Sequence, residues 1–298
     1  MTRKMFSFSA FVALMSVLTA LVFTSCEKAI FSDDETTGET NGNLRVRVFQ
    51  IEKTPFGSLT RAARPASEAC TRLNFLIYYT DGSRAKMVNQ TSDNAVFGTA
   101  SFQLDEGDYQ LVVVGHSANG NPTSTNPQKI QFTNSTGYTD TFLSSSDITI
   151  EPERPLEIDV TLDRIVARCS FVITDEFPAE VKKLQFYYTG GSGAFNAYTG
   201  LGSVNSKQTV TFDVTDRSQT QFDLYTFLHE QSDNIALKVT ALDASGNELY
   251  VREFDVHMEQ NHITWLTGAF FNGSGSSSTS VTGVTVNTDW AGETHITF

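Results

Sequence analysis

Cysteine, tryptophan and positive charge are all scarce in this 298-residue chain. There are 21 Lys and Arg against 34 Asp and Glu, for a formal net charge of -13. Such a surface is a poor partner for nucleic acid, whose phosphates need Lys and Arg. Charged residues make up only 18% of the chain, while 23 phenylalanines supply apolar bulk. That balance excludes a disordered chain and provides ample core. The histidines His116, His229, His257, His262 and His295 are scattered. His257 and His262 lie on a strand-like stretch with side chains on opposite faces, so they do not form a metal pair. Gly190-Gly191-Ser192-Gly193 sits in a hairpin-like turn with no helix behind it, which excludes a phosphate loop. No carboxylate pair is fixed by spacing. The reading is therefore no enzyme, no cofactor and no metal.

What is present begins with a leader. Arg3 and Lys4 precede an apolar run from Phe6 to Phe23, followed by Thr24, Ser25 and Cys26. A charged start, an apolar stretch and small residues read as a secretory signal. The cysteine straight after the small residues resembles the lipobox of bacterial lipoproteins. That resemblance implies a diacylglycerol on Cys26, cleavage before it, and outer-membrane anchoring by acyl chains at roughly 0.8 kcal/mol per buried methylene. Ser32-Asp33-Asp34-Glu35 resembles the acidic tag that exports some lipoproteins to the cell surface. The other cysteines, Cys70 and Cys169, either pair in the oxidising envelope or stay as single buried thiols.

Beyond the leader, helical periodicity is nearly absent and alternation is everywhere. Leu44, Val46 and Val48 alternate with Arg45 and Arg47. Leu73, Phe75 and Ile77 alternate with polar residues, as do Leu156, Ile158, Val160 and Leu162, and Val210, Phe212 and Val214. Turn signals such as Thr80-Asp81-Gly82-Ser83 and Ser245-Gly246-Asn247 separate these runs. Many short strands with half-polar faces predict an all-β chain of antiparallel β-sandwiches. The apolar phase switches from even to odd positions at Asp163-Arg164. A one-residue slip turns side chains to the other face, so a bulge or turn and a nearby domain boundary are expected there.

Two stretches repeat. Arg72-Leu73-Asn74-Phe75 leads into Tyr78-Tyr79, and Lys183-Leu184-Gln185-Phe186 into Tyr187-Tyr188. Further on, Tyr109-Gln110-Leu111 precedes His116, and Phe222-Asp223-Leu224 precedes His229. Two motifs in the same order at nearly the same offset suggest two copies of one sandwich, with Leu44–Ile51 and Ile165–Ile173 as first strands. The expected organisation is a signal peptide at 1–25, a lipidated linker at 26–42, an N-terminal sandwich at 43–158 and a C-terminal sandwich at 159–298.

Taken in order, these elements resemble the fimbrillin superfamily of type V pilins, including its minor and anchor subunits. The likeness rests on Gly42-Asn43-Leu44-Arg45-Val46-Arg47-Val48, on a loop with Leu59-Thr60-Arg61-Ala62, and on Thr71–Tyr78 and Glu106–Val114. Its most specific element is Leu162-Asp163-Arg164-Ile165-Val166-Ala167-Arg168. The resemblance implies transthyretin-like, Greek-key sandwiches and assembly by strand exchange. An Arg-specific protease would cut after Arg61, or after Arg64 as second choice because Pro65 follows it. The first strand, with Leu44, Val46 and Val48, would then leave, and a neighbouring subunit's C-terminal arm would fill its groove. Implied partners are other fimbrial subunits, the outer membrane through the lipid, and surface receptors. Asn272–Ser280 reads as a flexible linker before a tail at 281–298. That tail is either the donated arm or the last strands of the second sandwich. A different class also fits the residues: a surface glycan-binding lipoprotein using an outward ring of the pairs Tyr78/Tyr79 and Tyr187/Tyr188.

Overall fold

The computed structural model describes residues 42–53, 62–64, 66–272 and 292–298. All of them belong to one unit, Glu35–Phe298. The fold is all-β. In chain order its first half holds β1 (Leu44–Lys53), β2 (Ala62–Arg64), a short helix α1 (Ala66–Ala69), β3 (Arg72–Tyr79), β4 (Arg84–Thr91), β5 (Thr99–Phe102), β6 (Gly107–His116), β7 (Thr123–Asn126), β8 (Lys129–Gln131), β9 (Thr141–Ile150) and β10 (Leu156–Arg164). The second half holds β11 (Ala167–Ile173), β12 (Lys183–Thr189), β13 (Ala194–Phe195), β14 (Gln208–Asp213), β15 (Gln221–Thr226), β16 (Ser232–Leu242), β17 (Glu248–Glu259), β18 (His262–Gly268) and β19 (Gly292–Thr297).

The two halves share one strand order. In the first, β4-β3-β6-β9 faces β5-β1-β10, and the two are joined into one sheet where Asp163 and Arg164 of β10 pair with Leu143 and Phe142 of β9. In the second, β14-β12-β16-β17 faces β15-β11-β18-β19. Between the facing sheets lie two cores. Leu44, Val46, Phe102 and Leu162 meet Leu73, Phe75, Ile77 and Val113 in the first. Phe171, Leu224 and Leu266 meet Leu184, Phe186, Leu237 and Phe254 in the second. The ladders are not all antiparallel, as alternation alone had suggested. β1 runs parallel to β10, β11 parallel to β18, and β18 parallel to β19. Alternation reports which face is buried, but it carries no information on strand direction.

The repeat holds for its first motif and fails for its second. Leu73 and Phe75 of β3 occupy the places of Leu184 and Phe186 in β12, each pointing into its own core. The second motif match is not an equivalence. Tyr109–Leu111 lies in β6, whereas Phe222–Leu224 lies in β15, the counterpart of β5. Short aromatic-polar-apolar runs fit any half-buried strand, so the match arose from shared composition rather than shared position.

A third cluster joins the halves. Leu76, Tyr78, Val112 and Val114 line the far face of β3 and β6 and pack with Ile130, Phe132, Val166, Phe195, Phe227 and Ile263. β3 and β6 are thus buried on both faces, which explains the unbroken run Leu111-Val112-Val113-Val114. The expected boundary between residues 158 and 159 falls inside β10, whose residues Leu156–Leu162 pair continuously with β1. The phase switch at Asp163-Arg164 marks the end of that strand, and β11 begins at Ala167.

A polar network beside the third cluster runs from the buried Asn74 and His116 to the exposed Asn89 and Asn121. Asn74 donates from Nδ2 to Asn89 Oδ1 (2.7 Å) and Asn121 Oδ1 (3.0 Å). Its Oδ1 meets His116 Nε2 at 2.9 Å, and His116 Nδ1 accepts from Ala118 N at 3.2 Å. Nε2 therefore carries the proton of a neutral ring. Burial, helped by the Arg72 charge, lowers the His116 pKa to about 4.

Candidate strand-exchange site

The site is the slot occupied by β1. Period-two alternation sends Leu44 and Val46 into the first core, where both are fully buried, and sends Arg45 and Arg47 outward. A bulge between Val48 and Gln50 shifts the register against β10. The inward phase therefore changes, Val48 is only partly buried, and Ile51 becomes a fully buried member of the core. The sequence reading ends the strand at Ile51 but takes only Leu44, Val46 and Val48 as inward, because alternation does not foresee the bulge that turns Ile51 into the core.

Both edges of β1 are occupied. On one side it runs beside β10 from the Leu44–Leu156 pair to the Ile51–Leu162 pair. On the other, Leu44–Arg47 pairs with β5, Val48 N donates to Gly98 O at 2.8 Å, and Ile51–Lys53 pairs with β2. Asn43 fastens the start. Its Nδ2 donates to Leu104 O (2.8 Å), its Oδ1 accepts from Leu104 N (2.9 Å), and its carbonyl accepts from Leu156 N (2.8 Å). The sequence does not announce this role of Asn43, because the bonds join residues far apart in the chain. On the solvent face Arg47 grips Asp159 with two bonds of 2.8 and 2.6 Å. The hydrogen bond to Asp159 raises the Arg47 pKa, and the same bond lowers that of Asp159.

Residues 54–61 separate β1 from β2 and include Arg61, which lies outside the described residues, as does Cys26. Arg64 has its backbone in β2, opposite Ile51. Cys70 and Cys169 are not joined. Each is a free, buried thiol, Cys70 in the first core and Cys169 in the second. Burial pushes both thiols up to about 12. The two thiols stay single because Cys70, between α1 and β3, packs in the first core, while Cys169 on β11 packs in the second.

β19 belongs to the second half. β19 lengthens the β11-β18 sheet, with Ile296 in the second core and Phe298 against Phe171 and Phe254 at 5.2 and 4.8 Å between ring centroids. Gly268 makes this approach feasible, since a Cβ there would overlap the Phe298 carbonyl oxygen. Residues 292–298 are thus the last strand of the chain's own second half, while the rest of the 281–298 tail lies outside the described residues.

The Leu162–Arg168 element turns out to be the junction. Arg164 is buried and holds Asp140 through bonds of 2.7 and 2.9 Å, with Phe142 beneath its guanidinium at 5.0 Å. Its Nη1 donates to Asn261 Oδ1 (3.1 Å), and Asn261 N donates to Val166 O (2.9 Å). Asn261 has a φ of 58°, a conformation that asparagine tolerates better than most residues. Of the tyrosine pairs, Tyr78 and Tyr188 are buried and give their hydroxyls to Ser124 O and Tyr225 O, while Tyr79 is exposed. Among the described residues no group of three or more His, Cys, Asp or Glu is arranged to hold a metal.

Comparison with known proteins gives loose structural likenesses. An adhesin candidate from Bacteroides ovatus is 16% identical over 63% of this chain and 78% of its own, with a TM-score of 0.46. The fimbrial anchor protein Mfa2 from Porphyromonas gingivalis is 13% identical over 70% and 80%, with a TM-score of 0.40. A fimbrial assembly protein from Parabacteroides distasonis is 12% identical over 76% and 89%, with a TM-score of 0.36. No curated protein matches the chain. Residues 35–297 match the family of unknown function DUF6562, and the chain belongs to that family.

Proposed function

We propose that this protein is a fimbrial subunit or fimbrial anchor of the outer membrane, tethered by a lipid on Cys26, that joins its neighbours by exchange of β1 and so contributes to adhesion. The observation that carries this reading is the way β1 is held. Its three fully buried side chains, Leu44, Val46 and Ile51, each contribute roughly 1.5–3 kcal/mol. Its ladders on both edges are non-covalent. Its one covalent link to the sheets around it runs through residues 54–61, the segment that contains Arg61. A cut there leaves β1 seated by packing and hydrogen bonds alone, between two edges that a new strand satisfies equally well. β19 is a ready donor. Among the described residues it pairs with β18 alone, and it enters the core of its own half through Ile296 and Phe298, a place that donation would empty.

The test is limited digestion of the full chain with an Arg-specific protease, with and without a peptide copying Val281–Phe298. The reading predicts one dominant cut after Arg61, a fragment that stays associated after the cut, and its displacement by the peptide. A fragment that the peptide never displaces contradicts strand exchange. The tether is tested separately. Cys26→Ser releases the protein from membranes if the lipid reading holds, and sedimentation with membranes despite the substitution contradicts it.

A further inference from the structure

At one end of the first half, three segments distant in sequence form a polar cleft of about 370 Å³. They are the β3–β4 turn with Asp81 and Ser83, the β7–β8 turn with Asn126 and Gln128, and the loop after β13 that carries Tyr198. The cleft is built rather than incidental. Asp81 Oδ1 accepts from Ser83 N and Oγ at 2.8 and 2.6 Å, closing the first turn. Asn126 Oδ1 accepts from Gln128 N at 2.8 Å, closing the second and leaving the amide nitrogen to solvent. The second turn is tied down where Ser124 O accepts from the buried Tyr78 hydroxyl at 2.8 Å and from Arg84 at 3.1 Å. The third segment is anchored by Ala197 N donating to Pro127 O at 2.8 Å and by the β13–β8 pairing.

Against this fixed polar wall stands Tyr198, 50% exposed. It is the most exposed large hydrophobic side chain among the described residues. The lining carries one charged group, Asp81, and no cation. Arg84, outside the lining, is engaged by Ser124 O and Oγ, so an anion finds no counter-charge among the lining residues, and a metal ion finds a single carboxylate. What remains is a neutral ligand with a face for the ring and hydroxyls for the amides, hydroxyls and carboxylate beside it. We infer that this cleft binds a neutral oligosaccharide, with Tyr198 stacking on one sugar face and Asp81, Asn126 and Gln128 meeting its hydroxyls. The volume, near the lower end of the roughly 300–1,000 Å³ of ligand pockets, suits one or two sugar units of a longer chain. The inference stands apart from strand exchange, since no lining residue belongs to β1 or β19.

The experiment is affinity electrophoresis of the full chain through native gels containing, in turn, starch, mannan, xylan or mixed-linkage β-glucan. At least one polysaccharide retards the wild-type protein, and Tyr198→Ala weakens that retardation about tenfold or more, as expected for loss of an aromatic stacking contact. Tyr79→Ala, which removes an exposed ring outside the cleft, leaves retardation unchanged. If Tyr198→Ala lowers the melting temperature, Gln128→Ala on the exposed turn decides the matter: weaker retardation supports the site and unchanged retardation overturns it. Absence of retardation by all four polysaccharides, or equal losses in the Tyr198 and Tyr79 variants, overturns it as well.

Discussion

The two halves of this protein use one strand order, yet their first strands differ in freedom. β11 sits between β15 and β18 as β1 sits between β5 and β10. But β11 follows β10 after only Ile165 and Val166, and it leads on to β12, so the chain holds it at both ends. β1 is joined to its neighbours at one end. Their sheets differ as well. In the second half β19 covers the outer edge of β18, while among the described residues no strand pairs with the corresponding edge of β10 along Leu156–Leu162. Its core-facing Leu156 and Ile158 are only partly buried. The difference teaches that packing alone does not make a strand exchangeable. On the proposed reading, equivalent slots would behave differently when covalent connection and edge coverage differ.

The largest expected effects come from emptying the two slots. Phe171→Ala in β11 destabilises the second half by about 3–5 kcal/mol, and Leu44→Ala in β1 the first by about 2–5 kcal/mol, read from urea unfolding. Only Leu44→Ala speeds release of a cleaved strand, and equal release rates for the two variants break the comparison. Arg164→Ala strips the junction of its buried cation and leaves Asp140 unpaired, for a loss of about 3 kcal/mol. Calorimetry then resolves two transitions where the intact chain shows one, because the halves no longer unfold together.

Acid separates the halves next. His116 is buried in the first half, and no histidine of the second half is fully buried. Between the ordinary value of 6.5 and the folded value of about 4, the unfolded chain binds a proton that the folded chain refuses. The stabilisation is full above pH 6.5, declines as pH falls through that window, and is lost below it, by about 3 kcal/mol at most. A pH series of unfolding midpoints checks this, and His116→Asn flattens the slope between pH 6.5 and 4. The smallest effect is that of Arg47→Ala. Its ion pair with Asp159 lies on the solvent face, so the melting temperature barely moves and what change there is fades in high salt.

Much of this architecture is legible in the chain because alternation directly encodes which side chains are buried. The all-β class, the inward faces of Leu44 and Val46, and the end of β10 at the phase switch all follow from it. The Leu73-Asn74-Phe75 repeat is legible for the same reason, since its counterparts Leu184 and Phe186 meet the same core position. Other features depend on partners that alternation does not name. The parallel pairing of β1 with β10, the bulge that brings in Ile51, and the second buried face of β3 and β6 arise only when distant strands meet. The candidate site was half visible. Leu44, Val46 and Val48 mark its strand, but Asn43 acts through bonds to Leu104 and Leu156. Cys70 and Cys169 resemble a pair only until the two cores separate them. Nothing in the sequence marks Tyr198, because its cleft is assembled from three segments distant in the chain.

Hydrogen–deuterium exchange on the chain before and after cleavage at Arg61, and again with the Val281–Phe298 peptide, tests the separable first strand most directly. The account predicts that amides of Thr99–Phe102 and Leu156–Leu162 lose protection once the cut fragment is removed and recover it when the peptide is added. Ala167–Ile173 and Gln221–Thr226 keep their protection throughout. Unchanged protection along β5 and β10 after cleavage and fragment removal, or an equal loss in the second half, would contradict it.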